Sequence, residues 1–255
     1  MTLTTQWRFD PLGREWVMGE SAGSPEDIRV FALTPAQVLR KGELFRNQVE
    51  MLYVDAMMLD GAINPSAMTE ELFTFTSEDH AQAIKEQEAQ QQQDETENEE
   101  ADDEEAEQAA LVVHKSLFLC VYFQADAHPQ KHLVGFARVA RDTAQQKIVS
   151  SSMLVMAFLG DETQDAVLRA LFEATHETGA GMAHALLAEQ RAAAETESAS
   201  ALPTSVSFMC STVGLVDSAS TLLTASGFSG ETSTNDNDEA GGLRTVTKEI
   251  IFQQA

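Results

Sequence analysis

The sequence predicts a mixed α/β domain in which one mostly antiparallel sheet is flanked by helices, with residues 1–255 forming a single domain. Three observations carry this. Strand-like and helical stretches alternate along the last 150 or so residues. One run, KIVSSSMLVMAFL (Lys147–Leu159), is apolar at its centre without alternation, as expected of a strand covered on both faces. It leads straight into GDETQDAVLRALFEA (Gly160–Ala174), where Val167, Leu168, Leu171, Phe172 and Thr175 fall on one helical face.

The elements follow in order. DIRVFALT is a strand. Thr34 then stands before Pro35: a hydroxyl that can accept from a free helix N–H, followed by a residue with no N–H to satisfy. A helix is predicted from Pro35 to Met58, with Val38, Leu39, Leu44, Phe45, Val49 and Leu52 as its apolar face and Gly42 as a candidate break. DGAINPS reads as a turn, and TEELFTFTSEDHAQAI fits neither period. ALVVHKSLFLCVYFQAD and LVGFARVARD are strands joined by the turn AHPQKH, a β-hairpin. After the central strand, Asp161 and Gln164 have the spacing of a capping box. Gly179–Gly181 is expected to end that helix, and Met182–Glu195 to form a second, Ala-rich one. SVSFMCS is a strand, DSASTLLTAS a short helix ending at Gly227, and LRTVTKEIIF the closing strand.

Residues 85–110 interrupt this pattern. Twelve of the 41 acidic residues lie between Glu86 and Glu107, with no basic residue among them. The tract lacks large apolar side chains and cannot offset its own ordering entropy, so it is expected to be a disordered Gln-rich, acidic insertion. It reads either as a solvated spacer or as an electrostatic lure for a basic protein partner.

The formal net charge of −25 argues against nucleic acid and anionic membranes as partners, and favours a cationic one. No apolar run is long enough to span a bilayer, and the first residues carry no signal-peptide core. Cys120 and Cys210 lie in strand-like runs and read as buried thiols in a reducing, intracellular (cytoplasmic) setting. No Walker-type loop, nucleophile elbow, HExxH, CxxC or zinc-ligand spacing is present, so no metal is expected.

Several strings, in their order and spacing, resemble the GCN5-related N-acetyltransferase (GNAT) superfamily. LVGFARVARD resembles its third strand and SSSMLVMAFL its fourth. DETQDAVLRALFEA aligns without gaps with its Arg-Gly-x-Gly-x-Gly-x-Ala-Leu segment, and ASTLLTASGF with its Ala-x-x-x-Tyr-x-x-x-Gly-Phe helix. TVTKEIIF would be the last strand, so the resemblance covers roughly Leu111 to Phe252.

The resemblance implies a GNAT-like fold in which the central strand splays from the next and acetyl-CoA lies in the gap as cosubstrate. It implies that Ala157 and Phe158 offer backbone contacts to the cofactor. Thr163, Gln164, Asp165, Ala166, Val167 and Leu168 would line its pyrophosphate at the helix N-terminus. The implied activity is acetyl transfer to an amine of a small molecule, peptide or protein. The alternative is a non-catalytic GNAT-like binding or scaffold domain that uses the acidic segment.

This chain departs from the pattern at both ends of that site. The glycine positions hold Gln164, Ala166 and Leu168, and Thr163 stands at the basic position. Asp161, Glu162 and Asp165 place negative charge where phosphates would come. Leu223 occupies the position of the tyrosine that protonates the leaving thiolate. No catalytic base is identified. Asp142 reads as either a base or a turn cap, and His114, His128 and His132 as solvated residues or a shared site around the hairpin. Tyr122 reads as a packing residue.

Overall fold

The computed structural model describes residues 16–18, 28–57, 70, 72–77, 79–81, 83–85, 88, 115–123, 132–142, 144–156, 159–196, 204–212, 216–229 and 244–251. Seven strands form one sheet: β1 (Trp16–Met18), β2 (Ile28–Leu33), β3 (Ser116–Phe123), β4 (His132–Asp142), β5 (Lys147–Val155), β6 (Ser205–Thr212) and β7 (Arg244–Ile251). Their spatial order is their sequence order. Every neighbouring pair is antiparallel except β5–β6, which is parallel. A parallel junction needs a crossover, and helix α2 (Asp161–Thr196) supplies it. Helix α1 (Pro35–Met57) follows β2, and α3 (Val216–Ala225) follows β6.

The sheet is covered on both faces. Leu117, Leu119 and Val121 of β3 join the core that contains Val167, Leu168 and Leu171 of α2. Phe118 and Cys120, the alternate residues, join the core that contains Val38, Phe45, Val49 and Leu52 of α1. Alternation still operates, but both sides are apolar, so the central strands read as unbroken apolar runs.

The α1 start forms as the sequence predicts. The Gln37 N–H donates to Thr34 Oγ1 at 3.2 Å. The Thr34 N–H in turn donates to Gln37 Oε1 at 2.8 Å, so the glutamine completes a reciprocal cap. Gly42 does break the helical path, at φ 64° and ψ −153°. That break corrects one expectation. Leu44, assigned to the apolar face, is 80% exposed, because residues after Gly42 no longer keep the phase of those before it.

The segment that fits neither period belongs to the α1-side core. Leu72 is buried, with Phe73 and Phe75 against it, and the Phe73 ring stacks on Phe118 at 5.9 Å. Thr76 and Asp79 cap a following helical stretch through reciprocal bonds of 2.7 and 3.1 Å. Lys85 and Glu88 are helical, so helical residues run into the beginning of the expected insertion, whose remainder lies outside the described residues. Trp16–Met18 pairs with β2, a strand too short to announce itself by pattern.

The largest correction concerns α2. Gly179–Gly181 does not end it: the helix is continuous from Asp161 to Thr196, and Met182–Glu195 is its second half. Gly179 is there for packing. A Cβ at that position would collide with Cζ of Phe208, so the ring on β6 occupies the space a side chain would take. Tertiary contact supplies what glycine costs the helix.

The far half of α2 is anchored at the β4–β5 turn. Arg141 makes a two-pronged ion pair with Glu189 at 2.9 and 2.5 Å, and Gln190 donates to Gln146 at 3.0 Å. The short helix α3 ends as predicted at Gly227, whose φ of 81° lets the Gly227 and Phe228 N–H groups reach the Thr224 and Leu223 carbonyls. Both cysteines are buried and free, Cys120 in the α1-side core and Cys210 in the α2-side core. Burial pushes the Cys210 thiol up to about 12, so it is unreactive near neutrality.

Candidate functional site

The site begins with an extra residue in β5. Against β4, Leu154 faces Phe136 but Ser151 faces Arg138, so Ser152 and Met153 share the single partner Ala137. Against β6, Ser150 faces Cys210 and Met153 faces Thr212, so Ser151 and Ser152 share Ser211. One bulge therefore disturbs both ladders at the same level.

Beyond it the two ladders part. Pairing with β6 ends at Met153 and Thr212. Pairing with β4 continues through Val155 and Gly135, and the Met156 N–H donates to the Val134 carbonyl at 2.9 Å. Antiparallel bonding alternates along a strand, so Val155 turns its N–H and C=O away from β4, toward the side where β6 has ended. Met156 packs against the cores of both sheet faces, as a side chain can only where the sheet opens.

Helix α2 starts next to this opening. Its first bond runs from the Gln164 N–H to the Gly160 carbonyl at 2.9 Å. Gly160 is thus the cap, and the N–H groups of Asp161, Glu162 and Thr163 have no partner within the helix. The expected Asp161–Gln164 capping box is not formed, because Asp161 already lies inside the helix. The helix can lie close to the sheet because β4 carries Gly135. A Cβ there would come within 3.1 Å of Val121 and 3.2 Å of Val167.

The predicted residues sort by burial. Ala157 and Phe158 lie outside the described residues. Asp161, Glu162 and Asp165 are exposed, and Thr163, Gln164 and Ala166 are half-buried. Val167 and Leu168 are 0% and 1% exposed and belong to the α2-side core. Their side chains therefore hold the helix to the sheet and do not line its open end. The acids of the first turn favour the helix through its dipole while opposing an anionic ligand.

The candidate chemical groups fall away. Leu223 is buried in the α2-side core, and the hydroxyl residues near it in sequence, Thr221 and Thr224, are exposed. Asp142 caps the β4–β5 turn: its Oδ1 accepts the Ala144 and Gln145 N–H groups, each at 3.0 Å. His132 is exposed, and His114 and His128 lie outside the described residues. His176 packs between Phe172 and Phe228, with ring centroids 6.2 and 6.1 Å away. Tyr122 meets Phe31 edge-on at 5.6 Å, as a packing residue should. Among the described residues no cluster of three or more His, Cys, Asp or Glu could hold a metal. No helix among them is long and apolar enough to cross a membrane.

Two contacts escape a reading of the sequence. Gln164 Nε2 donates to the Met156 carbonyl at 3.3 Å, joining the second turn of α2 to the end of β5. Arg138 lies 5.4 Å over the Phe118 ring and donates to the Leu72 carbonyl at 2.9 Å, fastening the aromatic core beneath α1. Neither residue sits in a local motif that would have exposed its partner. What the opening offers chemically is backbone: a donor and acceptor at Val155, and three helix N–H groups nearby. Such a set suits an extended chain bearing amides and a polar head.

No family profile matches the sequence, and no curated protein sequence matches it. Solved structures do. An acetyltransferase from Streptococcus agalactiae 2603 is similar at 12% identity, over 88% of this chain and 99% of that one, with a TM-score of 0.37. yncA from Salmonella typhimurium, solved with its cofactor acetyl-CoA, is similar at 10% identity over 90% and 98%, with a TM-score of 0.38. RimL, a ribosomal L7/L12 alpha-N-protein acetyltransferase in complex with coenzyme A, is similar at 11% identity over 92% and 98%, with a TM-score of 0.36. The fold itself is read from the sheet: strands in sequential order, a single parallel junction at β5–β6, a bulge in β5 and a helix launched from beyond it. By that architecture the chain has the GNAT fold, in a divergent form.

Proposed function

We propose that this protein binds acetyl-CoA at the β5–β6 opening and transfers its acetyl group to an amine. The observation that carries the reading is the opening itself: β6 stops pairing at Thr212 while β5 runs on to Val155, beside the start of α2. Val155 would bond an amide of the pantetheine arm. The free N–H groups at Asp161–Thr163 would receive the pyrophosphate, with Thr163, Gln164, Asp165 and Ala166 around it and Ala157 and Phe158 at its approach.

In the reaction a neutral amine attacks the thioester carbonyl. A C–N bond forms, the C–S bond breaks, the nitrogen gives up a proton, and the thiolate of coenzyme A departs. With Leu223 buried where a proton donor would stand, the thiolate takes its proton from solvent, which predicts slow turnover. The net charge of −25 favours an amine that arrives as a cation, on a small molecule or a basic peptide.

One observation favours a second reading, a non-catalytic GNAT-like binding domain. The first turn of α2 carries Asp161 and Glu162 where an anionic cofactor would come, and no described side chain replaces the missing acid. The tract between Glu86 and Glu107 would then be the surface for a basic protein partner.

Titration of the full-length protein with acetyl-CoA separates the two. Micromolar binding, with thermal stabilisation that grows with ligand concentration, is the expected result. Silence at millimolar acetyl-CoA removes the enzyme reading and leaves the binding domain.

A further inference from the structure

From the contact between Gln164 and Met156 we infer that Gln164 is a latch on the acyl-CoA opening, a residue that sets the affinity of that site by occupying part of it in the free protein. The inference rests on the proposed function. Its first support is the bond itself: a primary amide N–H donated to a main-chain carbonyl at the end of β5, the kind of bond an amide of an incoming pantetheine arm would make there. Its second is position. Gln164 begins the second turn of α2, and helical side chains lean toward the N-terminus. From there the side chain reaches back to Met156, crossing the first turn that a ligand must approach.

Its third support is strength. At 3.3 Å the bond is at the long end for N–H···O, and both residues are half-buried, so water can replace the contact. A contact of this kind is displaceable and weakens the ligand's hold without excluding it. It also gives the substitution at a family glycine position a physical consequence. Where glycine leaves the carbonyl open, glutamine closes it.

The test measures acetyl-CoA affinity by calorimetry for the full-length protein and for Gln164→Ala and Gln164→Met. Methionine keeps most of the side-chain volume and loses the donor, so the pair separates the bond from the bulk. Thermal unfolding of each variant confirms that it is folded. The latch predicts that Gln164→Ala binds acetyl-CoA about three- to ten-fold more tightly, with Gln164→Met moving in the same direction. If the parent binds and the folded variants bind equally or more weakly, Gln164 is no latch, while the acyl-CoA reading stands. If neither parent nor variants bind at millimolar acetyl-CoA, the acyl-CoA reading falls and the latch with it.

Discussion

The two ends of α2 share one helix and obey different masters. At its middle and far half the helix is shaped by what it packs against. Gly179 gives way to Phe208, Leu186 and Leu187 are buried, and Arg141 clamps Glu189. At its first turn nothing packs so closely. Asp161, Glu162 and Asp165 are exposed, and Gln164 bonds only a strand-end carbonyl. The glycines expected at the front of this helix are missing there, and a glycine appears where a ring needs room. Glycine marks close approach in both places, but a phosphate and a phenyl ring leave different signatures. The first needs a bare backbone at a helix start, the second a notch in a helix side.

The sharpest way to break this comparison is to treat Leu168 as part of the front. If it lined a cofactor loop, Leu168→Gly would leave folding intact. Its burial predicts the loss of about 3–6 kcal/mol, combining a large-to-small core change with glycine in a helix. Ala166→Gly, two residues earlier and half-buried, should cost only about 1 kcal/mol. Urea unfolding of the two variants side by side decides the matter.

Next is the notch. Gly179→Ala should destabilise by about 1–3 kcal/mol despite alanine's better helix propensity, because the new methyl meets the Phe208 ring. Adding Phe208→Leu should recover part of that loss, and a double-mutant cycle measures the coupling. Gly181 provides the contrast. It is exposed and nothing lies within 4 Å of where a Cβ would stand, so Gly181→Ala should stabilise by roughly 0.5–1 kcal/mol. A loss there would mean that the helix needs both glycines for its path, and the packing account would fail.

The smallest effect is the far clamp. Bonding to Arg141 holds the Glu189 carboxyl below its ordinary range. A lowered carboxyl contributes stability that is fully present above its unfolded pKa, near 4.3. That contribution is lost as pH falls through the folded value. Because Glu189 is 59% exposed, it should amount to less than about 1 kcal/mol. Glu189→Gln should therefore lower stability slightly at pH 7 and flatten the fall between about pH 5 and 3. Chemical unfolding across that range reads both.

Local chemistry made much of this protein legible in advance. Thr34 before Pro35, the doubly covered run of β5, the Val167–Leu171 face and the close of α3 at Gly227 each depend on neighbours in the chain. The order of strands around them followed from short connections and one long helical crossover. Other features were decided only when distant segments met. Gly179 reads as a helix stop until Phe208, far along the chain, fills the space beside it. Leu44 reads as core until the Gly42 break changes the helix phase. The β5 bulge is invisible in KIVSSSMLV, since register is a relation between strands and not a property of one. Gln164 stands out in the sequence for what it replaces, but its bond to Met156 depends on how α2 leaves the sheet. Periodicity and capping are written into consecutive residues and survive reading one residue after another. Clearances, registers and side-chain reach are distances between elements, and only the folded chain sets them.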